Sequence, residues 1–187
     1  MNALPPVAHP LFVVACGLAA VAASQVDAMI REFIAQFLLY LIVTLYAINI
    51  GGNVYEMLVL TPLWTASPPE SVRKFFEGTG MGRAIQKFWL SKLAKYSLFV
   101  LLGAVIAAWS VSERRLWLIL ALAATAVNYV LTIRYIFPRK KALFRSAGEL
   151  PPEDVRRKTR QFILADRARL VFKLAAFLCL VRALVGR

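Results

Sequence analysis

Long apolar stretches separated by short charged segments dominate the chain. Four of them, near residues 33–62, 90–111, 116–137 and 164–185, approach or exceed the roughly 20 helical residues that cross the core of a bilayer. A shorter apolar segment covers 11–24. This pattern predicts an all-α fold, an integral membrane four-helix bundle with an additional short N-terminal hydrophobic helix and cytoplasmic surface helices.

The N-terminal segment LFVVACGLAAVAAS at 11–24 has two interpretations. Its length and its small-residue end resemble the core of a signal peptide, but residues 1–10 contain no lysine or arginine. We expect a retained helix. The predicted division is therefore an N-terminal hydrophobic segment at 1–30 and a four-helix transmembrane domain at 31–187.

Composition supports a membrane protein and sets its orientation. Of the 187 residues, 60% are hydrophobic and 18% are charged, with a formal net charge of +13. The lysines and arginines flank the apolar stretches, which is the arrangement of the positive-inside rule and does not indicate nucleic acid as a partner. We expect a bacterial inner-membrane protein with the basic loops 65–95 and 138–173 in the cytoplasm.

The sequence offers few ligands for a metal or a haem. His9 is the single histidine, and Cys16 and Cys179 both lie inside apolar stretches, where packing is the expected role. We therefore predict no metal site and no cofactor.

Polar residues recur at helical spacing within the predicted spans, and Glu56 is the costliest of them. A charged side chain at the centre of a membrane helix costs on the order of 2.5–3.5 kcal/mol. Positions three, four or seven residues apart share one helix face. We predict one polar pocket between four helices, in which Lys92, Arg169 or Lys173 neutralises Glu56. The four stripes are Asn49, Asn53 and Glu56; Trp89, Lys92 and Tyr96; Asn128, Thr132 and Tyr135; Asp166, Arg169 and Lys173.

Each of these residues taken alone also has an explanation without a site. Lys92 and Lys173 can extend to the lipid headgroups, and asparagines can hold helices together. Three polar groups on one stripe, at Asn49, Asn53 and Glu56, exceed what helix association needs and favour a site.

Two proline-rich stretches are similar to each other. SPPESVRKFF at 67–76 follows Pro62, and LPPEDVRRKTRQF at 150–162 follows Pro138. Proline suits the first turn of a helix, so each stretch is predicted to begin one. A duplicated helical hairpin is an alternative explanation of the repeat. Apolar residues among charges at 70–88 predict a helix at the membrane surface.

Several of these segments together resemble a known family. GGNVYEMLVLTPLW at 51–64, SPPESV at 67–72, FW at 88–89, TIRYIFP at 132–138 and DRARL at 166–170 are similar to the small membrane proteins grouped with the anthrone oxygenases. The resemblance covers most of 35–185. It implies a four-helix membrane bundle, in fungal members linked to oxidation of anthrones without an identified metal or flavin. It also implies a site with Asn53, Glu56, Tyr135 and Arg169.

The first functional hypothesis is a membrane enzyme, a cofactor-independent oxidoreductase or oxygenase that acts on an apolar aromatic substrate from the bilayer. Glu56 would abstract a proton, and Lys92 and Arg169 would stabilise the resulting negative charge, with Asn53 as a further catalytic residue. The tryptophans also fit an interfacial aromatic belt. The predicted substrate-binding residues are Asn49, Trp64, Trp89, Tyr96, Asn128, Thr132, Tyr135, Asp166 and Lys173.

Two other hypotheses stay open. A small transporter would carry an anionic or lipid-like substrate, because the nearby lysines and arginines would repel a cation. A non-catalytic assembly or lipid-binding protein would use its basic segment 139–173 to hold anionic membrane lipids.

Overall fold

The computed structural model describes residues 10–78, 92–146 and 150–186, with side chains over 25–75, 96–143 and 150–186. These residues are almost entirely helical and contain no strand, which confirms the all-α prediction. The helices are α1 (Pro10–Tyr55), α2 (Thr61–Thr65), α3 (Glu70–Gly78), α4 (Lys92–Ala107), α5 (Ser112–Leu131), α6 (Phe137–Ser146) and α7 (Pro152–Val185). Two π-helical segments, π1 (Glu56–Leu60) and π2 (Thr132–Ile136), join α1 to α2 and α5 to α6.

The first helix is longer than the sequence predicted. Residues 11–24 are not a separate short helix, because α1 runs without a break from Pro10 to Tyr55. No glycine or proline occurs between Gly17 and Gly51. The charged residues that follow 11–24, Asp27, Arg31 and Glu32, are part of the same helix, and arginine and glutamate have high helix propensity.

Two helices in the described ranges are long and apolar enough to cross a membrane, Gln25–Thr65 and Ser112–Leu143. Their most apolar windows are only 22% and 17% buried, which is unlike a core helix enclosed in a soluble protein. The described apolar part of α4, Tyr96–Ala107, is shorter, and α7 does not meet the same criterion. The predicted spans 33–62 and 116–137 lie within the two long helices.

Prolines account for the two π-helical segments. Proline has no N–H, and its ring clashes with the carbonyl four residues earlier, at Leu58 for Pro62 and at Arg134 for Pro138. The helical turn before each proline contains one additional residue. Thr61 N–H therefore donates to Glu56 O, and Phe137 N–H donates to Thr132 O. Such single wide turns are frequent at functional sites.

The described helices enclose two separate apolar cores. The body core draws on α1, α4, α5 and α7, and the cap core draws on α2, α3, α6 and the first turns of α7, together with the last residue of π2. The body core contains Ala35, Leu39, Ile42, Tyr46, Leu101, Ala104, Ala108, Leu118, Ala121, Ala176, Leu180 and Ala183. The cap core contains Trp64, Val72, Phe75, Ile136, Leu143, Val155 and Phe162.

Both proline-rich stretches begin helices, as predicted, at Glu70 and at Pro152. The surface helix at 70–88 is different from the prediction. Val72 and Phe75 are buried in the cap core, so the apolar face of α3 packs on protein rather than on lipid. Residues 79–91 and the side chain of Phe76 lie outside the described residues.

Candidate polar site between the two cores

A layer of polar side chains separates the body core from the cap core. Along α1 and π1 the buried positions change from apolar at 35–46 to polar at 49–56 and back to apolar at Leu60. Along α7 the order is reversed, because this helix runs in the opposite direction, and the two polar stretches meet. We call this set the polar layer: Asn49, Asn53, Glu56, Ser97, Thr125, Asn128, Lys140, Asp166, Arg169 and Lys173.

Glu56 is buried and is paired with a lysine that the sequence analysis did not name. Its side chain is 5% exposed, and Lys140 Nζ donates to Glu56 Oε1 at 2.8 Å. Lys140 lies on α6, beyond Pro138, in the run FPRKK that reads as a cytoplasmic loop. The signal for it was present, since Ile136, Lys140 and Leu143 have the spacing of one buried helix face.

Lys173 holds the two asparagines of α1. Its Nζ donates to Asn49 Oδ1 at 2.6 Å and to Asn53 Oδ1 at 2.7 Å. Asn53 is fully buried, and Lys173 is 6% exposed. The structure therefore brings together residues from two of the stripes that were predicted to meet in one pocket.

Asp166 and Arg169 form the second buried ion pair, one turn apart on α7. Arg169 donates to Asp166 Oδ1, and both side chains are buried. Lys173, one turn further along, lies within electrostatic range of Asp166, Arg169 and Glu56. The described part of the polar layer thus holds three basic and two acidic side chains.

Some polar atoms of the layer have no hydrogen-bond partner among the described residues. They include the second carboxylate oxygens, Glu56 Oε2 and Asp166 Oδ2, the amide nitrogen Asn53 Nδ2 and the amide oxygen Asn128 Oδ1. A buried polar atom without a partner costs about 1–3 kcal/mol. The arrangement can accept hydrogen bonds from a hydroxyl group and can donate one to an oxygen.

Two predicted lining residues face outward instead. Tyr96 is 53% exposed, and Ser97, the next residue, takes the buried position on α4. Tyr135 is 46% exposed and lies beneath the Arg139 guanidinium, 5.0 Å from its ring centre. For Tyr135 the cause is the wide turn of π2, which moves the inward-facing position from Tyr135 to Ile136.

The remaining predicted residues divide into three groups. Asn128 and Thr132 are half-buried, and the Thr132 hydroxyl donates to the Asn128 carbonyl at 2.8 Å. Trp64 is buried in the cap core, with its ring centre 5.2 Å from that of Phe162. The side chains of Trp89 and Lys92 lie outside the described residues, so their predicted roles stay predictions.

A buried tyrosine that was not predicted as a site residue, Tyr46, lies next to the layer. The Tyr46 hydroxyl is hydrogen-bonded to Thr125 Oγ1, and Thr125 Oγ1 itself donates to the Ala121 carbonyl. Tyr46 must therefore be the donor. Its position three residues before Asn49 extends the stripe of Asn53 and Glu56 and was a usable signal.

Among the residues that the structure describes, no group of three or more histidine, cysteine, aspartate or glutamate side chains is placed to hold a metal ion. Comparison of the chain with protein-family models, with curated proteins and with solved structures finds no match. The resemblance to the anthrone oxygenases therefore has no support from these comparisons.

Proposed function

We propose that the chain is an integral membrane four-helix bundle. The end that surrounds the cap core, which we call the cap, is rich in lysine and arginine and lies in the cytoplasm. The two candidate membrane-crossing helices support this, and so do the outward faces of α4 and α7, where Phe99, Ile106, Val171 and Leu178 are all more than 60% exposed. Large exposed apolar side chains on several helices are typical of contact with lipid or a partner. Exposed cations such as Arg73, Lys141 and Arg156 lie in the cap, as the positive-inside rule requires of a cytoplasmic end.

Within this bundle we propose a cofactor-independent oxidoreductase that acts on an apolar aromatic substrate. The observation that carries the proposal is the state of Glu56. One of its oxygens is bound by Lys140, and the other is buried without a partner among the described residues. An acid held in this way has a fixed orientation and a free oxygen that can receive a proton.

The chemistry follows from the charges of the polar layer. Glu56 Oε2 takes a proton from an acidic carbon or hydroxyl of the substrate, and Lys173 and Arg169 stabilise the negative charge left behind. Asn53 Nδ2, which has no partner among the described residues, donates a hydrogen bond to the negatively charged oxygen of the substrate. With dioxygen as the oxidant, conversion of a methylene group to a ketone consumes one dioxygen and releases one water.

The test measures dioxygen consumption by the purified protein with anthrone as the probe. Glu56→Gln should lower the rate by about 10²–10⁴, the usual contribution of a general base, while the variant keeps its helix content. Glu153→Gln, an exposed cap carboxylate, is the matched control and should keep full activity. Full activity of Glu56→Gln, or a wild-type protein that does not oxidise the probe, contradicts the proposal.

A second candidate function is the transport of an anionic amphiphile. The observation that favours it is that three basic side chains face two acidic ones in the described part of the polar layer. Uptake of labelled oleate into proteoliposomes, with and without a pH gradient, distinguishes it from the enzyme. Uptake that is lost in Lys173→Met favours the carrier, and turnover of anthrone without uptake favours the enzyme.

A further inference from the structure

A groove lies between α1 and α4 at the end of the molecule opposite the cap. Its volume is about 490 Å³, and its walls are Arg31, Ile34, Ile106, Ala107, Trp109 and Ser110. Ile106 is 77% exposed and Trp109 is 50% exposed, so the groove opens on the outer surface of the helices. The polar layer is not part of it, and nothing in the proposed function uses it.

Two arginines lie at this groove, Arg31 in its wall and Arg115 against Trp109. Arg31 makes no hydrogen bond or ion pair with any described residue, and the Arg115 guanidinium lies over the Trp109 ring, 5.6 Å from its centre. The neighbouring carboxylate of Glu32 is already bound by Arg114 at 2.7 Å. Asp27 and Glu113 are exposed and form no ion pair with either Arg31 or Arg115 in the described ranges.

The groove also has the apolar wall and the interfacial aromatic residue that suit a lipid. Ile34 and Ile106 belong to helices that continue into the body core, whereas Trp109 and Ser110 lie in the turn after α4. Tryptophan and arginine are the residues that stand at the level of lipid headgroups. One end of the groove is thus built for hydrocarbon and the other for an anion.

We infer that this groove binds one anionic phospholipid, with its phosphate at Arg31 and Arg115 and an acyl chain along Ile34 and Ile106. A basic residue near a membrane surface contributes about 1 kcal/mol to the binding of an anionic lipid. A zwitterionic lipid carries a cationic group beside its phosphate and gains less from the two arginines.

Native mass spectrometry with dioleoyl phosphatidylglycerol and dioleoyl phosphatidylcholine tests the inference. The double variant Arg31→Gln/Arg115→Gln should lower the affinity for the first bound phosphatidylglycerol by about tenfold or more. The matched control is Lys141→Gln/Arg160→Gln, which removes the same charge from exposed positions of the cap and should leave that affinity unchanged. Equal binding of both lipids by the wild type, or equal loss in the two double variants, overturns the inference.

A second measurement separates the lipid from its phosphate. Glycerol 3-phosphate, which has the anion but no acyl chain, should not compete for the groove. Ile106→Asn, which leaves both arginines in place, should weaken the binding of phosphatidylglycerol. Competition by glycerol 3-phosphate at the same concentration as phosphatidylglycerol, or an unchanged affinity in Ile106→Asn, would show that the acyl chain contributes nothing to binding. The thermal unfolding of each variant in phosphatidylcholine micelles reports whether it is folded.

Discussion

At the scale of single residues, Glu56 shows how a buried acid is stabilised by a buried partner. Its partner Lys140 lies 84 positions away in the sequence, and both side chains are largely shielded from water. Removing one member of a buried pair costs about 3–5 kcal/mol, because the other charge remains without compensation, whereas removing both costs less. Each of the two buried charges is therefore tolerated only while its partner is present.

We expect Lys140→Met to lower the free energy of unfolding in mixed micelles by about 3 kcal/mol. Glu56→Leu/Lys140→Met should be more stable than the sum of the two single changes predicts, by about 1 kcal/mol or more. Lys141→Met, the exposed neighbour, is the control and should change stability by less than about 0.5 kcal/mol. Additive effects in this double-mutant cycle would show that the two side chains do not interact.

The Tyr46 and Thr125 pair gives an asymmetric prediction. Tyr46→Phe removes a donor but leaves Thr125 bonded to the Ala121 carbonyl, so the cost should be about 1 kcal/mol. Thr125→Val leaves the buried Tyr46 hydroxyl without its acceptor and should cost more, up to about 3 kcal/mol. Thermal unfolding of the two variants measures the difference. The reverse order would mean that Thr125 is the donor.

At the scale of helices, the two prolines decide which residues face inward. Pro62 and Pro138 each stand six positions after the start of a π-helical segment. Each residue of an α-helix turns by about 100°, so one additional residue in a turn changes the face of everything beyond it. With π1 in place, Glu56, Leu60 and Trp64 are all buried.

Pro62→Ala tests this account of the register. The change permits an ordinary α-helical turn, so the coupling between Glu56 and Lys140 should fall below about 0.5 kcal/mol while the helix content stays the same. Pro151→Ala lies before the start of α7, outside any helix, and should preserve the coupling. If the coupling survives in Pro62→Ala, the proline is not the cause of the wide turn.

At the scale of the whole molecule, the two cores and the polar layer between them define a direction. The body core lies among helices with apolar outward faces, and the cap core lies beneath a surface rich in arginine and lysine. The proposed orientation places the cap on the cytoplasmic side and the turn at residues 108–111 on the other.

Cysteine labelling tests that orientation in a background with Cys16→Ser and Cys179→Ala. Lys141→Cys should react with a membrane-impermeant maleimide in inverted vesicles and not in intact spheroplasts. Ser110→Cys should show the opposite pattern. Both positions are exposed, so a failure to react reports sidedness rather than burial. Labelling of both residues from one side would rule out the proposed arrangement.

Several features were available from the sequence because they depend on neighbours along the chain. Apolar length predicted the two candidate membrane-crossing helices, and proline followed by an acidic residue predicted where α3 and α7 begin. The spacing of Asn49, Asn53 and Glu56 predicted that they share a face, and all three contribute to the polar layer. Periodicity and helix starts are local properties, so a single chain segment is sufficient to predict them.

The tertiary structure decided the rest, because it depends on which helices meet and in which register. Spacing on α1 cannot show that Glu56 pairs with Lys140, since that choice requires α6 to pack beside π1. Nor can spacing along α5 show that Ile136 rather than Tyr135 faces inward, because the wide turn before Pro138 changes which face is buried. A face is a property of one helix, whereas a partner is a property of two.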